Sequence, residues 1–297
     1  MIFILLLMVL LLFIGGEVLV KGSVSIATKL KVSTLVIGMT IVSFATSAPE
    51  LFVSLQSLFY DNSSIALGNI IGSNIANIGL VLACTAIIYT LNTTKQTYLL
   101  NYPFLLFCSL SLFLVFLFFN GIPKILGYLF IILLFVFLFI LIKRSRKEYA
   151  EEDLNSNQFA NSEQEDKTGC KVLDKEGLEI IKSDVQKTCY SWFKSFFYFF
   201  LGLFLLKYGA EFLVQGAIGF ANFFNISDRI VALTVVAIGT SVPELATSII
   251  AAFRKEADLA VGNIIGSNIF NILAVLGISS LAQDIIIDDN SLIFHDS

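Results

Sequence analysis

The chain has 297 residues, of which 57% are hydrophobic and 14% are charged, and its formal net charge is −4. Soluble domains carry about 25% charged residues, so this composition excludes an ordinary soluble protein and indicates a chain embedded in a bilayer. We expect the lipid bilayer, and no nucleic acid, as its partner.

Eight apolar segments are long enough to cross a hydrocarbon core of ~30 Å, which takes roughly 20 helical residues. They are Ile2–Val20, Thr34–Phe59, Ile65–Leu91, Tyr98–Phe119, Ile122–Ile142, Trp192–Phe224, Ile230–Phe253 and Leu259–Ala282. Lysine and arginine collect after the first, third, fifth and seventh segments, which puts the N-terminus outside by the positive-inside rule. We predict an all-α, multi-pass protein of the plasma (cell inner) membrane. The first segment is kept in the mature protein because no basic residue precedes it.

One long polar stretch, residues 143–191, separates the fifth and sixth segments. It cannot bury enough apolar surface to form a core, so we predict a flexible cytoplasmic linker. Its acidic residues could instead form a regulatory cation site, but they lack the glycine-punctuated order of a calcium loop. The chain therefore divides into a first membrane repeat of five helices (1–142), the linker (143–191) and a second repeat (192–297).

The two membrane halves repeat each other at a constant offset of 194 residues, as between Glu50 and Glu244. Thr46-Ser-Ala-Pro-Glu50 aligns with Thr240-Ser-Val-Pro-Glu244, and the segment Gly68–Ile75 aligns with Gly262–Ile269 without a gap. Five helices precede the linker, and because five is odd the second copy starts from the opposite side of the membrane. Inverted repeats of this kind are typical of secondary transporters, whose site lies near the midplane between the repeats.

Each repeat carries one glutamate, Glu50 or Glu244, in the middle of an apolar segment. A carboxylate at that depth costs at least ~2.5 kcal/mol, so it should face a cavity or a cation. Pro49 and Pro243 have no amide hydrogen and would leave the carbonyl four residues earlier without its helical partner. Two such breaks in register favour an ion site over the alternative that helix–helix hydrogen bonds alone hold the glutamates.

The segment after each glutamate has polar side chains at four-residue spacing, which places them on one face of a helix. They are Asn69, Ser73, Asn77, Asn263, Ser267 and Asn271. Glycine pairs four residues apart in the same segments predict close helix packing, which would bring these polar faces against the glutamates. Carboxylate, hydroxyl, amide and carbonyl oxygens are hard ligands that suit calcium and sodium, not zinc or copper.

These paired motifs resemble the two alpha-repeats of the calcium/cation antiporter superfamily, with the closest resemblance to prokaryotic sodium/calcium exchangers. The resemblance implies an inverted-repeat transporter of ten helices. About eight of them are present, because the fourth helix of the second copy would start near Ser297, where the sequence ends. It also implies alternating-access exchange of calcium for sodium, with both ions as cargo, no cofactor and no enzymatic activity.

The resemblance further implies a set of ion ligands. Glu50 and Glu244 would bind calcium directly and share the sodium sites. The further ligands would be the main-chain oxygens of Thr46 and Thr240 for calcium, Ser47, Ser241, Ser73, Ser267 and the carbonyls of Ser43 and Ala237 for sodium, with Asn77 and Asn271 lining the centre.

Two positions depart from the pattern of the family. Many relatives carry Asp at the position of Asn271, including those that co-transport potassium, so asparagine here weakens a potassium-dependent interpretation. Ala45 stands where the family usually has glycine, and its methyl group would narrow one approach to the site.

Two other functions stay open at this point. One is calcium/proton exchange, in which Glu50 or Glu244 is protonated on the return step. The other is a truncated fragment that does not transport and assembles with a partner. An intramembrane protease is disfavoured because the only histidine, His295, lies at the end of the sequence.

Overall fold

The protein is an all-helical membrane fold, seen in a computed structural model. The structure describes residues 2–60, 63–91, 97–119, 121–159, 190–223 and 237–286. Within these ranges seven helices are long and apolar enough to cross a membrane, and an eighth apolar helix, Val242–Phe253, is shorter. The predicted all-α membrane architecture with about eight helices is confirmed.

The helices are numbered here in chain order. They are α1 (Ile2–Leu30), α2 (Thr34–Phe59), α3 (residues 63–88), α4 (Thr97–Phe118), α5 (Lys124–Phe159), α6 (Trp192–Phe223), α7 (Ala237–Thr240 and Val242–Phe253) and α8 (Ala257–Ala282). A short antiparallel pair, which the sequence did not predict, joins β1 (Gly121–Ile122) to β2 (Ile285–Ile286). It connects the start of α5 to the end of α8.

Two helices extend beyond their predicted ends. The first helix was predicted to end at Val20, but Lys21 Nζ pairs with Glu17 Oε1 at 2.8 Å and the helix continues to Leu30. It ends where Lys31 adopts a left-handed backbone conformation, with φ of 54°.

The fifth helix was predicted to end at Ile142, yet α5 continues to Phe159. Residues 143–159 are thus helical in part of the predicted flexible linker, because the Lys, Arg and Glu residues there have high helix propensity. Residues 160–189 of the linker lie outside the described residues, as does the part of the predicted seventh helix before Ala237.

The first helices of the two repeats, α1 and α6, pack against each other through glycines. A Cβ atom built on Gly22 would lie 2.6 Å from the main-chain nitrogen of Phe199, and one on Gly202 would lie 2.7 Å from Cα of Leu19. At such distances only glycine lets the two backbones approach. Because Gly22 meets Phe199 while Leu19 meets Gly202, the two helices run antiparallel, as an inverted repeat requires.

The centre of the fold consists of α2, α3, α7 and α8. A Cβ built on Gly262 of α8 would lie 3.2 Å from the main-chain nitrogen of Met39 on α2, and one on Gly266 would lie 2.7 Å from its Cα. The predicted close approach at the glycine pair is therefore confirmed for the second repeat. In the first repeat, the residues equivalent to Leu35 and Met39 are residues 229 and 233. Both lie outside the described residues, so the packing of Gly68 against them is not described.

The two repeats also share their irregularities. α2 is interrupted at Ser47, with φ −83° and ψ 3°, and α7 is interrupted at Ser241, with φ −87° and ψ 1°. α3 and α8 each pass into a stretch of π-helix, which starts at Asn77 in one repeat and at Asn271 in the other. Each pair is separated by the same offset as the sequence motifs, so the local geometry follows the repeated sequence.

Replacing Gly202 by alanine tests the contact between α1 and α6. The new methyl group would collide with the backbone of Leu19, and such overpacking costs ~1–3 kcal/mol. We expect Gly202→Ala to lower the thermal unfolding temperature of the detergent-purified protein. Gly79→Ala is the control, because no atom of the described residues lies within 4 Å of a Cβ built there. Equal unfolding temperatures for the two variants would contradict this packing.

Candidate ion-binding site

Both glutamates sit in the first turn of a helix that restarts after a break, at Ser47 in α2 and at Ser241 in α7. The second half of α2 begins at Ala48, directly after the break, and Pro49 occupies its first turn. Proline is favoured there because its missing amide hydrogen would have no helical acceptor. Glu50 follows at once, and Glu244 takes the same position in α7. The positive end of the helix dipole stabilises a carboxylate at this position.

The two carboxyl groups are fully buried and poorly satisfied. Glu50 and Glu244 are both 0% exposed. Among the described residues, neither side-chain oxygen of Glu50 has a hydrogen-bond partner, nor does Oε2 of Glu244. Oε1 of Glu244 accepts a long hydrogen bond, 3.5 Å, from Ser47 Oγ. A buried carboxylate without a partner costs several kcal/mol, so this arrangement favours a bound cation between the repeats.

Hydroxyl groups from the two repeats meet in crossed pairs beside the glutamates. Thr46 Oγ1 lies 3.5 Å from Ser267 Oγ, and Thr240 Oγ1 lies 3.3 Å from Ser73 Oγ. Each threonine is the last residue before a helix break, whereas each serine comes from the helix α3 or α8 of the other repeat. The structure thus brings these four predicted residues together across the repeat interface.

The other predicted residues lie on the same four helices. Ser43 Oγ lies 2.6 Å from the carbonyl of Gly38 in α2 and 3.0 Å from the carbonyl of Asn263 in α8, so its side chain is engaged by main-chain oxygens of both helices. Ser241 is buried, and its hydroxyl has no partner within the described part of the chain. Ala237 begins the described part of α7. Asn77, the first residue of the π-helical stretch in α3, is buried beside them.

Asparagines on α3 and α8 hold the main chain of the two glutamates. Asn69 Nδ2 donates to the carbonyl of Glu50 and to Ser54 Oγ, both at 3.2 Å. Asn263 Nδ2 donates in the same way to the carbonyl of Glu244 at 3.5 Å. The sequence predicted both asparagines on the polar faces but not among the ion ligands. Their hydrogen bonds to the main chain of the glutamates fit a role in supporting the site.

Glu17 and Glu211, which the offset also pairs, lie in ion pairs away from this site. Lys207 Nζ lies 3.8 Å from Glu211 Oε1, and Lys21 Nζ lies 2.8 Å from Glu17 Oε1. Both local pairs were expected from the four-residue spacing. The sequence did not reveal a further partner, because Arg254 at the end of α7 binds both carboxylate oxygens of Glu17, with Nε to Oε2 at 2.6 Å.

A cavity of about 530 Å³ lies between α2, α6 and α7 and reaches the site. Its walls are mostly apolar and include Ala45 and Pro49 of α2, with Lys207 and Glu211 on α6. Thr240 belongs both to this wall and to the crossed hydroxyl pairs, so the cavity borders the predicted ligands. The methyl group of Ala45 lies on the approach where the family resemblance places a glycine.

The donor set is one of oxygens rather than of histidine or cysteine. Within the described ranges, no group of three or more His, Cys, Asp or Glu side chains could hold a metal ion. Two carboxylates with hydroxyl and amide oxygens remain, which is a set that matches calcium and sodium.

Comparison with known proteins shows the family of the chain. The sequence pattern described as "Sodium/calcium exchanger protein" matches residues 1–143 and 194–297, which covers both repeats. The chain belongs to this exchanger family. The family consists of transporters rather than enzymes, and its members move ions as cargo.

Individual relatives of the exchanger family match over most of the chain. The sodium/calcium exchanger MaX1 of Methanosarcina acetivorans is 32% identical, over 94% of this chain and 82% of that protein. The inner membrane protein YrbG of Escherichia coli is 33% identical, over 83% of this chain and 69% of that protein. These matches run through both repeats and give no support to the alternative of a non-transporting fragment.

A solved structure of the sodium-calcium exchanger NCX_Mj has the same fold. It superposes with a TM-score of 0.75 at 30% identity, over 97% of this chain and 84% of that one. Together with the relatives, it identifies the chain as a multi-pass integral membrane protein and a cation antiporter of the exchanger family.

Asn263→Ala tests whether the asparagines support the site. The substitution removes the donor to Glu244 and to Ser248 Oγ, which lies 3.1 Å from Asn263 Nδ2. A buried group left without its partner costs ~1–3 kcal/mol, so we expect a lower thermal unfolding temperature in detergent. Ser248→Ala removes only one of these contacts and should have a smaller effect. A larger loss for Ser248→Ala would contradict the proposed support.

Proposed function

We propose that this protein exchanges calcium for sodium across the membrane, with Glu50 and Glu244 as its carboxylate ligands. The observation that carries the proposal is the burial of two carboxyl groups, three of whose four oxygens have no partner among the described residues. Two negative charges balance one calcium ion. The family membership supports the same conclusion, because MaX1 and NCX_Mj are named sodium/calcium exchangers.

The remaining oxygens fit the coordination numbers of the two ions. Calcium takes six to eight oxygen ligands, more than two carboxylates supply. We assign the main-chain oxygens of Thr46 and Thr240 to calcium. The sodium ligands would be Ser47, Ser241, Ser73, Ser267 and the carbonyls of Ser43 and Ala237, with Asn77 and Asn271 at the centre. Because both cargos use the two glutamates, they compete for one site.

The domain arrangement suits alternating access. We propose that residues 1–142 and 192–297 act as inverted halves joined by a cytoplasmic linker, residues 143–191, in the plasma membrane. The glutamates lie on the helices that face the other half. A movement of one half relative to the other would therefore expose the same oxygens first to one side and then to the other.

Calcium uptake into proteoliposomes under an outward sodium gradient tests this function. We expect uptake by the wild-type protein, and a fall of at least about tenfold for Glu50→Gln or Glu244→Gln, because charged contacts contribute ~1.5–3 kcal/mol. Glu148→Gln is the matched control, since this glutamate is exposed on α5 and lines neither the site nor the cavity. Normal uptake by either site variant would contradict the assignment.

The same assay separates sodium from protons as the counter-ion. Uptake that requires sodium supports the proposed exchange. Uptake that proceeds without sodium and follows a proton gradient would replace it with calcium/proton exchange, in which a glutamate carries the proton.

The charge of the site leads to a prediction about voltage. Calcium leaves the two-carboxylate site neutral, whereas the three sodium ions implied by the family resemblance leave one net positive charge. When calcium enters and three sodium ions leave, positive charge leaves the vesicle, so a positive interior assists uptake. One charge crossing 100 mV is worth ~2.3 kcal/mol, which changes the transport equilibrium more than tenfold.

A potassium gradient with valinomycin imposes this potential. We expect faster calcium uptake with a positive vesicle interior than at zero potential, and slower uptake with a negative interior. Uptake at the same rate under all three conditions would indicate an electroneutral cycle.

A further inference from the structure

Several contacts beside the site occur as equivalent pairs in the two repeats, but one contact between two asparagine amides occurs only once among the described residues. Asn271 Nδ2 donates to Asn74 Oδ1 at 3.1 Å across the repeat interface. At the constant offset, its equivalent would join Asn77 to Asn268. Neither amide atom of Asn77 has a partner among the described residues, nor does Oδ1 of Asn268. Asn268 Nδ2 instead donates to the carbonyl of Ile264 in its own helix, at 2.9 Å.

This difference accompanies two others between the repeats. Gly16 of α1 packs tightly against α7, whereas the equivalent residue Ala210 of α6 lines the cavity. Arg254 ties the end of α7 to Glu17, whereas Tyr60 stands at the equivalent end of α2 and carries no charge. The amide contact differs from these two, because all four of its positions are asparagine and a sequence difference does not account for the asymmetry. Alternating access requires two states, and such an asymmetry fits one of them. In an inverted repeat the other state exchanges the roles of the two halves.

We propose that Asn74 and Asn268 are positioning residues that alternate with the transport cycle. In the present state the bridge between Asn74 and Asn271 is made, and in the opposite state the bridge between Asn77 and Asn268 takes its place. This inference rests on the proposed function, because it assigns a conformational role within the same site.

The chemistry of the amide explains what the alternation does. An asparagine side chain can turn either its oxygen or its NH2 group toward a cation. When Asn74 accepts the hydrogen of Asn271, the oxygen of Asn271 stays free, and it is buried and without a partner in the described structure. Each state thus fixes one central asparagine with its oxygen available to the cation. One bridge per state also keeps the two states close in free energy.

Asn74→Ala removes a bridge that exists only in the present state. One buried hydrogen bond changes the balance between the two states about fivefold. In the opposite state the side chain of Asn74 would bond only within its own helix, as Asn268 does here, so that state loses less. Asn74→Ala therefore favours the opposite state, and Asn268→Ala favours the present one.

The ratio of the half-saturating calcium concentrations on the two membrane faces measures this balance, because affinity on each face scales with the population of the state open to it. In right-side-out and inside-out vesicles, Asn74→Ala should change this ratio about fivefold, and Asn268→Ala about fivefold in the opposite direction. The double variant should return to the wild-type ratio. Ile75→Ala, on the exposed face of α3, should leave it unchanged. Two single variants that change the ratio in the same direction, or not at all, would overturn the inference.

A second measurement needs no ion transport. Ala210→Cys is made in a chain whose four cysteines are replaced by alanine, and its reaction with a water-soluble maleimide in lipid nanodiscs reports the open cavity. Asn74→Ala should slow this reaction, and adding Asn268→Ala should restore it. A reaction rate that Asn74→Ala does not lower, or that the second substitution lowers further, would overturn the inference. Failure of wild-type calcium exchange would overturn only the proposed function.

Discussion

The rest of the structure depends on placing two carboxylates inside a hydrocarbon layer. A charge at this depth is unfavourable, and Glu50 and Glu244 have almost no partner in the described protein to compensate for it. The helix breaks, the crossed hydroxyl pairs and the supporting asparagines all surround this one requirement. Each of them supplies an oxygen, a dipole or a fixed backbone where a cation would balance the charge. The close packing of α2 against α8 then holds the polar face of α8 against the helix that carries Glu50.

One repeated sequence motif supplies both halves of the site, and the differences between the halves keep the site from opening equally to both sides of the membrane. Every proposed ligand type appears twice because the sequence motif appears twice, so two halves can form one central site. Perfect symmetry would leave the site equally open to both sides of the membrane, which would permit a leak. The cavity beside α6 and the closed contact between Gly16 and α7 show how the two halves differ here.

Much of this arrangement could be predicted from the sequence, because it follows from local chemistry. Proline before Glu50 and Glu244 predicted both helix breaks, and the offset of the motifs predicted which helices meet. The contact of Arg254 with Glu17 could not be predicted, because it depends on how α7 packs on α1. The extension of α1 past Val20 was missed because the predicted segment covers only the apolar run, whereas the helix continues through Lys21, which pairs with Glu17.

The contact between α5 and α8 has a consequence for how the protein is assembled. In sequence α5 belongs to the first half, but Gly127 lies against the carbonyl of Gly277, and the strand pair β1–β2 ties the same two helices together. The second half therefore completes its fold on a surface that the first half provides. During synthesis α5 is made long before α8, so it is already available as a template when α8 enters the membrane.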